Sequence, residues 1–216
     1  MSDEPQLSRA AAQRLSHYLR SLGSGTRAGG TVSSVELARA VGASAAQVRR
    51  DLASLGHLGQ RGVGYDAAGL AQAIRKTLGI DREWRACLVG VGNLARALLR
   101  HRGFRDQGFH VVALFDTDPA KLGQVVEGLT VEPLTALPTR VAELRVELGI
   151  LTLPAGPAQA VADALTAAGV RGLLNFAPVL LRTPPTVRVV AVDLAIQLEQ
   201  LAFQVQHASG MLFKAF

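Results

Sequence analysis

A single cysteine, Cys87, stands among 216 residues, so the chain can close no disulfide on itself. It lies inside an apolar run and reads as a buried strand residue rather than a redox centre. Long hydrophobic runs are also missing, since none reaches the roughly 18 residues that a membrane-spanning helix needs. The start, with Ser2, Asp3 and Glu4, is too polar for a secretory leader. A cytoplasmic protein with no membrane partner is expected. The histidines His17, His57, His101, His110 and His207 have no metal-ligand spacing, so no metal site is expected. The central region has one lysine, Lys121, and no Tyr–Lys pair for acid–base work. Only His101 is expected near a cofactor there.

Negative charge is scarce in one part of the chain. Residues 1–80 hold ten Arg/Lys against five Asp/Glu, whereas residues 81–216 hold thirteen against twelve. Five of the six net positive charges thus fall on the N-terminal third, as a phosphate-binding surface requires. The length allows about two small domains. The motifs divide it into a DNA-binding part over 1–80, a nucleotide-binding part over 81–193 and a last helix over 194–216.

Leu7, Ala11, Leu15, Tyr18 and Leu22 recur at spacings of three and four, which predicts a first helix over 7–22. A loop is expected over 24–30. Ser33 with Glu36 fits a capping box, with Val35, Leu37, Ala38 and Val41 behind it, and Gly42 permits the sharp turn that ends this helix. Ser44 with Gln47 fits a second capping box and starts a third helix at once, giving a helix-turn-helix. On that helix Val48, Leu52 and Leu55 face the core. Arg50 crowns the opposite face, flanked by Gln47, Ser54 and Arg49, a set that suits the major groove. The segment Gly56–Tyr65, with four glycines around Gln60 and Arg61, reads as a two-stranded wing. Leu70, Ile74 and Leu78 mark a closing helix, and 79–85 a linker.

The second part opens with an apolar strand over 87–91 that runs into Gly90-x-Gly92-x-x-Ala95 and then a helix with Leu94, Leu98 and Leu99. Gly90 allows the tight turn, Gly92 lets backbone approach a pyrophosphate, and Ala95 permits close helix–strand packing. A second strand, 111–115, ends at Asp116, whose carboxylate suits ribose hydroxyls and repels a 2′-phosphate. With no Arg following it, NAD(H) is favoured over NADP(H). Further strands are expected over 148–153, 172–176 and 187–192, with a helix over 157–168. Thr152, Asn175, Phe176 and Pro178, at strand ends, should line the site. Leu194, Leu198, Leu201, Val205, Ala208 and Leu212 form a seam for docking against another helix, from a partner chain or from the same domain. The fold expected is α/β: a winged helix-turn-helix domain followed by a Rossmann-like parallel-sheet domain. A dehydrogenase would need a substrate domain for which no length remains. A CoA-binding module shares the sheet and glycine turn, but Asp116 argues for a ribose with free hydroxyls.

Taken together, Gln47-Val48-Arg49-Arg50-Asp51-Leu52, Arg61-Gly62-Val63-Gly64-Tyr65, Gly90-Val91-Gly92-Asn93-Leu94-Ala95, Phe115-Asp116 and Leu174-Asn175-Phe176-Ala177-Pro178 resemble the Rex family of redox-sensing transcriptional repressors. The resemblance covers nearly the whole chain. It implies a homodimer that represses by binding double-stranded operator DNA and leaves when NADH binds, answering to the NADH/NAD⁺ ratio, with no enzyme activity. It further implies a domain-swapped C-terminal helix that inserts against the partner's winged domain. The residues it assigns to DNA are Ser44, Gln47, Arg49, Arg50, Arg61 and Tyr65. Those it assigns to the cofactor are Gly90 to Ala95, Asp116, Thr152, Pro154, Asn175, Phe176, Ala177 and Pro178. Coupling falls to Arg20 and Asp193, paired across the dimer, and to His101. This chain departs from the family at His101, where an aromatic, usually Tyr, is common, and at Leu194, where some members carry Phe.

Overall fold

Local capping signals build the first unit. The computed structural model describes residues 7–25, 30–56, 59–60 and 63–212, which fall into two compact units divided between Glu83 and Trp84. In the first unit, α1 (Arg9–Gly25) begins where Ser8 Oγ accepts the Ala11 N–H at 3.2 Å. It runs two residues into the expected loop, and Leu19 and Leu22 belong to its buried stripe. A short β1 (Thr31–Val32) follows. α2 (Ser34–Val41) has the complete capping box: Ser33 Oγ accepts from Glu36 N, and Glu36 accepts from Ser33 N. That backbone hydrogen bond holds the Glu36 carboxyl below its ordinary range. Gly42, at φ 68°, ends the helix in the left-handed conformation, and Val35 is exposed rather than buried.

α3 (Ala45–Ala53) starts within three residues. Its expected capping box is only half made. Ser44 Oγ accepts from Gln47 N at 3.1 Å, but the Gln47 side chain turns away to Asp51, a stronger, charged acceptor. Then β2 (Gly59–Gln60) and β3 (Gly64–Asp66) pair antiparallel, and β3 also pairs with β1. A Cβ on Gly64 would lie 2.7 Å from the Val32 carbonyl oxygen, so the wing can press on β1 only with glycine there. Asp66 caps α4 (Ala67–Leu78), whose Leu70 and Ile74 join Leu15, Tyr18, Leu37, Val48 and Leu52 in one core. This is a winged helix-turn-helix.

The second unit is a seven-stranded sheet in the order β10-β9-β8-β4-β5-β7-β6, parallel except for the β6–β7 hairpin. Its strands are β4 (Trp84–Val89), β5 (Phe109–Asp116), β6 (Val125–Val126), β7 (Leu129–Pro133), β8 (Leu148–Leu151), β9 (Gly172–Asn175) and β10 (Arg188–Ala191). β4 and β5 begin earlier than expected, because the alternation of Trp84, Ala86 and Phe109, Val111 extends each apolar run. The linker is correspondingly shorter than 79–85. Helices α5 (Asn93–Arg100), α6 (Arg102–Asp106), α7 (Leu137–Glu143) and α8 (Ala155–Ala167) connect the strands, and α9 (Leu194–Leu212) ends the described chain. Cys87, Val89, Phe115, Leu151, Val161 and Leu165 lie in the largest core cluster of this unit. Burial pushes the Cys87 thiol up to about 12, as expected for an inert strand residue. This is a Rossmann-like sheet with its phosphate turn after its central strand. No helix among the described residues is long and apolar enough to cross a membrane.

Candidate nucleic-acid interface and nucleotide site

The outer face of α3 carries two arginines because its inner face is spent on the core. Val48 and Leu52 are buried, Leu55 is half-buried just past the helix end, and Arg49 and Arg50 are exposed. Arg49 donates to Ser34 Oγ at 3.1 Å, and Arg50 donates to Gln47 Oε1 at 3.4 Å. Gln47 is half-buried and gives its amide N–H to Asp51 at 2.8 Å. Any contact of Gln47 with an adenine edge would therefore compete with an internal bond. Asp51, which sequence reasoning assigned no role, is buried and accepts from four donors. Arg14 Nε and Nη2 give bonds of 2.6 and 2.7 Å, Tyr18 Oη one of 2.9 Å, and Gln47 the fourth. The Arg14 bond holds the Asp51 carboxyl below its usual range, and Asp51 in turn raises Arg14. Burial, with Asp51 adding to it, pushes the Tyr18 phenol up to about 12.

Tyr65 is half-buried, its ring so close to Gly59 that a Cβ there would lie 2.7 Å from Cε1. It holds the two wing strands together. Ser44 is exposed at the start of α3. Arg61, assigned to the wing tip, lies outside the described residues.

In the second unit the parallel register levels the strand ends: Ala191, Asn175, Leu151, Val89 and Phe115 are successive neighbours. The chain leaves β4 towards β5 on one side and returns at β8 on the other, so the loops after β4 and β8 part at a topological switch point. Gly90, at φ 93°, makes the turn. A Cβ there would meet Leu153 Cδ2 and the Thr152 carbonyl oxygen at 2.7 Å. Thr152 Oγ1 donates to the Gly90 carbonyl at 2.6 Å. Gly92 is different: a Cβ on it would meet nothing within 4 Å, which leaves room for a ligand against the backbone. Gly92 is also the N-cap of α5 and provides no side-chain cap, so the amides of Asn93, Leu94 and Ala95 open towards that space. Ala95 is fully buried against the sheet, and Leu94 is exposed beside the turn. These features fit a dinucleotide pyrophosphate.

Several assigned residues are brought here with other duties. Val91 is buried and donates its N–H to Asp116 Oδ2 at 2.7 Å. Asp116, also buried, accepts in addition from Asp118 N at 2.9 Å and Lys121 Nζ at 3.0 Å. Burial pulls its carboxyl up, but these three donors hold it below the ordinary range. It pins the phosphate turn to β5 before it can read any sugar. A cation does stand beside it, in Lys121, where sequence reasoning searched only for Arg. Asn175 is buried and ties its own loop, donating to the carbonyls of Ala177 and Val179 and accepting from Ala177 N. Half-buried Phe176 and exposed Pro154 and Pro178 border the edge, with Ala177 buried beneath.

His101 is a correction. It follows the last turn of α5, whose eight residues carry it about 12 Å from the phosphate turn. It packs edge-on against Phe104 and, with Arg100, Arg105 and His110, lines a cavity of about 530 Å³ at that other end. It is therefore not beside the phosphate turn of its own chain. Arg20 is an exposed residue of α1, and Asp193 caps α9 through Oδ1, accepting from Ala195 N at 2.9 Å. On α9 itself, Leu194, Ile196, Leu198, Leu201, Phe203 and Val205 are all exposed. They stand on two opposite faces of the helix, Leu194, Leu198, Leu201 and Val205 on one and Ile196 and Phe203 on the other.

Residues 6–53 match a family model described as "Putative DNA-binding protein N-terminus", and residues 81–179 match one described as "CoA binding domain". The redox-sensing transcriptional repressor Rex of Rhodopirellula baltica is 48% identical over 203 residues, spanning 94% of this chain and 86% of its own. The Rex repressor of Desulfitobacterium hafniense is 47% identical over 193 residues, spanning 89% and 92%. Among solved structures, the Rex-family repressor RSP in complex with β-NAD⁺ and operator DNA is 31% identical with a TM-score of 0.86, covering 96% of this chain and 95% of that one. RSP in complex with β-NADH is 29% identical with a TM-score of 0.83, covering 97% and 98%.

Proposed function

The chain belongs to the Rex family of redox-sensing transcriptional repressors, and from that premise we propose that its homodimer represses by holding operator DNA through α3 and lets go when NADH binds the sheet edge. One observation carries this reading. A helix with Arg49 and Arg50 on its solvent face shares a chain with a glycine turn whose helix amides have no side-chain cap. The first suits guanine edges and phosphates, the second a pyrophosphate.

In this reading Arg50 reads base edges, Arg49 and Ser44 hold phosphate, and Tyr65 braces the wing. Gly92 and the amides of Asn93 to Ala95 receive the pyrophosphate. Asp116 and Val91 hold that turn in shape, and NAD(H) is the ligand, in keeping with RSP solved with β-NAD⁺ and β-NADH. Thr152, Pro154, Phe176 and Pro178 border the ligand, with Asn175 and Ala177 shaping their loop. NADH supplies the signal, since its concentration against NAD⁺ reports the redox state of the cytoplasm. The chain acts as a regulator and not as an enzyme, in keeping with relatives named as repressors.

The exposed apolar faces of α9 support its exchange between subunits, because so much apolar surface is stable only when another element covers it. Asp193 spends Oδ1 on capping α9 and offers Oδ2 to the partner subunit's Arg20. Loss of that pair on NADH binding couples the two sites. His101 enters the coupling only across the dimer, given its distance from its own phosphate turn. A gel shift with operator DNA tests the function: NADH should release the DNA at concentrations where NAD⁺ leaves it bound. Equal effects of the two would rule out redox sensing. For the pair, Asp193→Arg should weaken DNA binding without NADH, and Arg20→Asp in the same chain should partly restore it.

A further inference from the structure

We propose that Asp51 is the positioning residue of the DNA-reading helix, acting through Gln47 to aim the Arg50 guanidinium. The proposal rests on the reading of α3 as the helix that contacts DNA.

The carboxylate of Asp51 lies between α1 and α3 and is 5% exposed. Each of its oxygens accepts two hydrogen bonds: Oδ1 from Arg14 Nη2 and Gln47 Nε2, Oδ2 from Arg14 Nε and Tyr18 Oη. An ionised carboxylate only accepts, so it fixes which end of the Gln47 amide faces inwards. The NH₂ must point at Asp51, and the carbonyl oxygen must point out. That carbonyl accepts from Arg50 Nη1 at 3.4 Å. A chain of bonds therefore runs from α1 through Asp51 and Gln47 to the exposed arginine. Arg14 and Tyr18, one turn apart on α1, form the fixed end, since Tyr18 is fully buried.

This arrangement changes what Gln47 can do. Reading adenine in two-pronged fashion needs both the NH₂ and the carbonyl free. Here one prong is held inside and the other holds Arg50, so Gln47 is a buttress and Arg50 the reader. Holding a long arginine in one rotamer before binding removes part of the ordering entropy that binding would otherwise have to overcome. The gain falls on the specific complex, because non-specific binding needs only charge near phosphate.

The test uses the full-length dimer and fluorescence anisotropy, with duplexes enriched from a random pool by the wild-type protein and, separately, unselected duplexes. Asp51→Asn keeps the shape but cannot accept from all four donors. It should weaken binding to enriched duplexes about tenfold, a change of about 1.4 kcal/mol, with unselected duplexes and NADH bound as before. Adding Asp51→Asn to Arg50→Ala should weaken binding no further than Arg50→Ala alone. Gln47→Ala, at a half-buried position that spares the core, should behave in the same way and carries the test if Asp51→Asn does not fold. Additive losses, or equal losses on both kinds of duplex, would overturn the positioning role. If Arg50→Ala itself leaves enriched duplexes tightly bound, the reading of α3 fails, and the proposal with it.

Discussion

The two units each bury one carboxylate deep among hydrogen-bond donors, and they satisfy it in opposite ways. Asp51, in the winged unit, draws all four of its side-chain bonds from other side chains, three of them on a different helix. Asp116, in the sheet unit, takes two bonds from backbone amides and one from Lys121. Backbone donors are supplied by the turn itself, so Asp116 fixes the path of the chain. Side-chain donors come from whatever helix packs nearby, so Asp51 fixes how helices and their outer residues are aimed. A DNA reader needs the second kind of control, and a phosphate turn needs the first.

Removing each carboxylate should break this comparison most sharply. Asp51→Ala strands Arg14 and Tyr18, and Asp116→Ala strands two amides and Lys121; each should destabilise its own unit by about 2–4 kcal/mol. Thermal melting with NADH as ligand separates them. Asp116→Ala should weaken NADH binding and leave operator binding intact but poorly relieved by NADH, while Asp51→Ala should lose operator binding and keep NADH. Acid should act on both units together. Both carboxyls titrate below their ordinary values in the fold, so the unfolded chain binds the extra protons and stability falls as pH drops below about 4. Denaturant midpoints measured between pH 7 and pH 3 check this, and Asp51→Asn should flatten the acid loss of the winged unit alone.

Arg50→Ala acts from the surface of the winged unit. It should weaken operator binding by about 1–3 kcal/mol without altering NADH affinity, as read by gel shift and calorimetry. The smallest effect concerns the helix caps. Ser33→Ala and Ser44→Ala each remove one side-chain cap bond, while the backbone N–H of residue 33 keeps its bond to Glu36. Both should cost about 1 kcal/mol in melting experiments.

What was legible in the chain follows the range of the interactions. Ser33 and Gly42 act within four residues of themselves, and the glycines at 90 and 92 mark a local strand–turn–helix, so the helix-turn-helix and the phosphate turn could be read directly, whereas the approach of Gly90 to Thr152 and Leu153 could not. Asp51 could not, since its partners Arg14 and Tyr18 lie more than thirty residues away in sequence. The β6–β7 hairpin was missed because its turn is Glu127-Gly128, with Glu127 at φ 48°, a conformation for which Asn or Asp is the usual signal. The place of His101 was legible in principle: the eight residues of α5 already put it at the far end from Gly92.

In the proposed function the DNA site and the nucleotide site oppose each other through one conformational equilibrium. Its most direct test is a closed thermodynamic cycle on the full-length dimer. The NADH dissociation constant is measured with and without saturating operator, and the operator constant with and without saturating NADH. Each ligand should weaken the other by the same factor, within about 5- to 150-fold, and NAD⁺ should show a much smaller factor. Tight NADH binding that leaves the operator constant unchanged would contradict it.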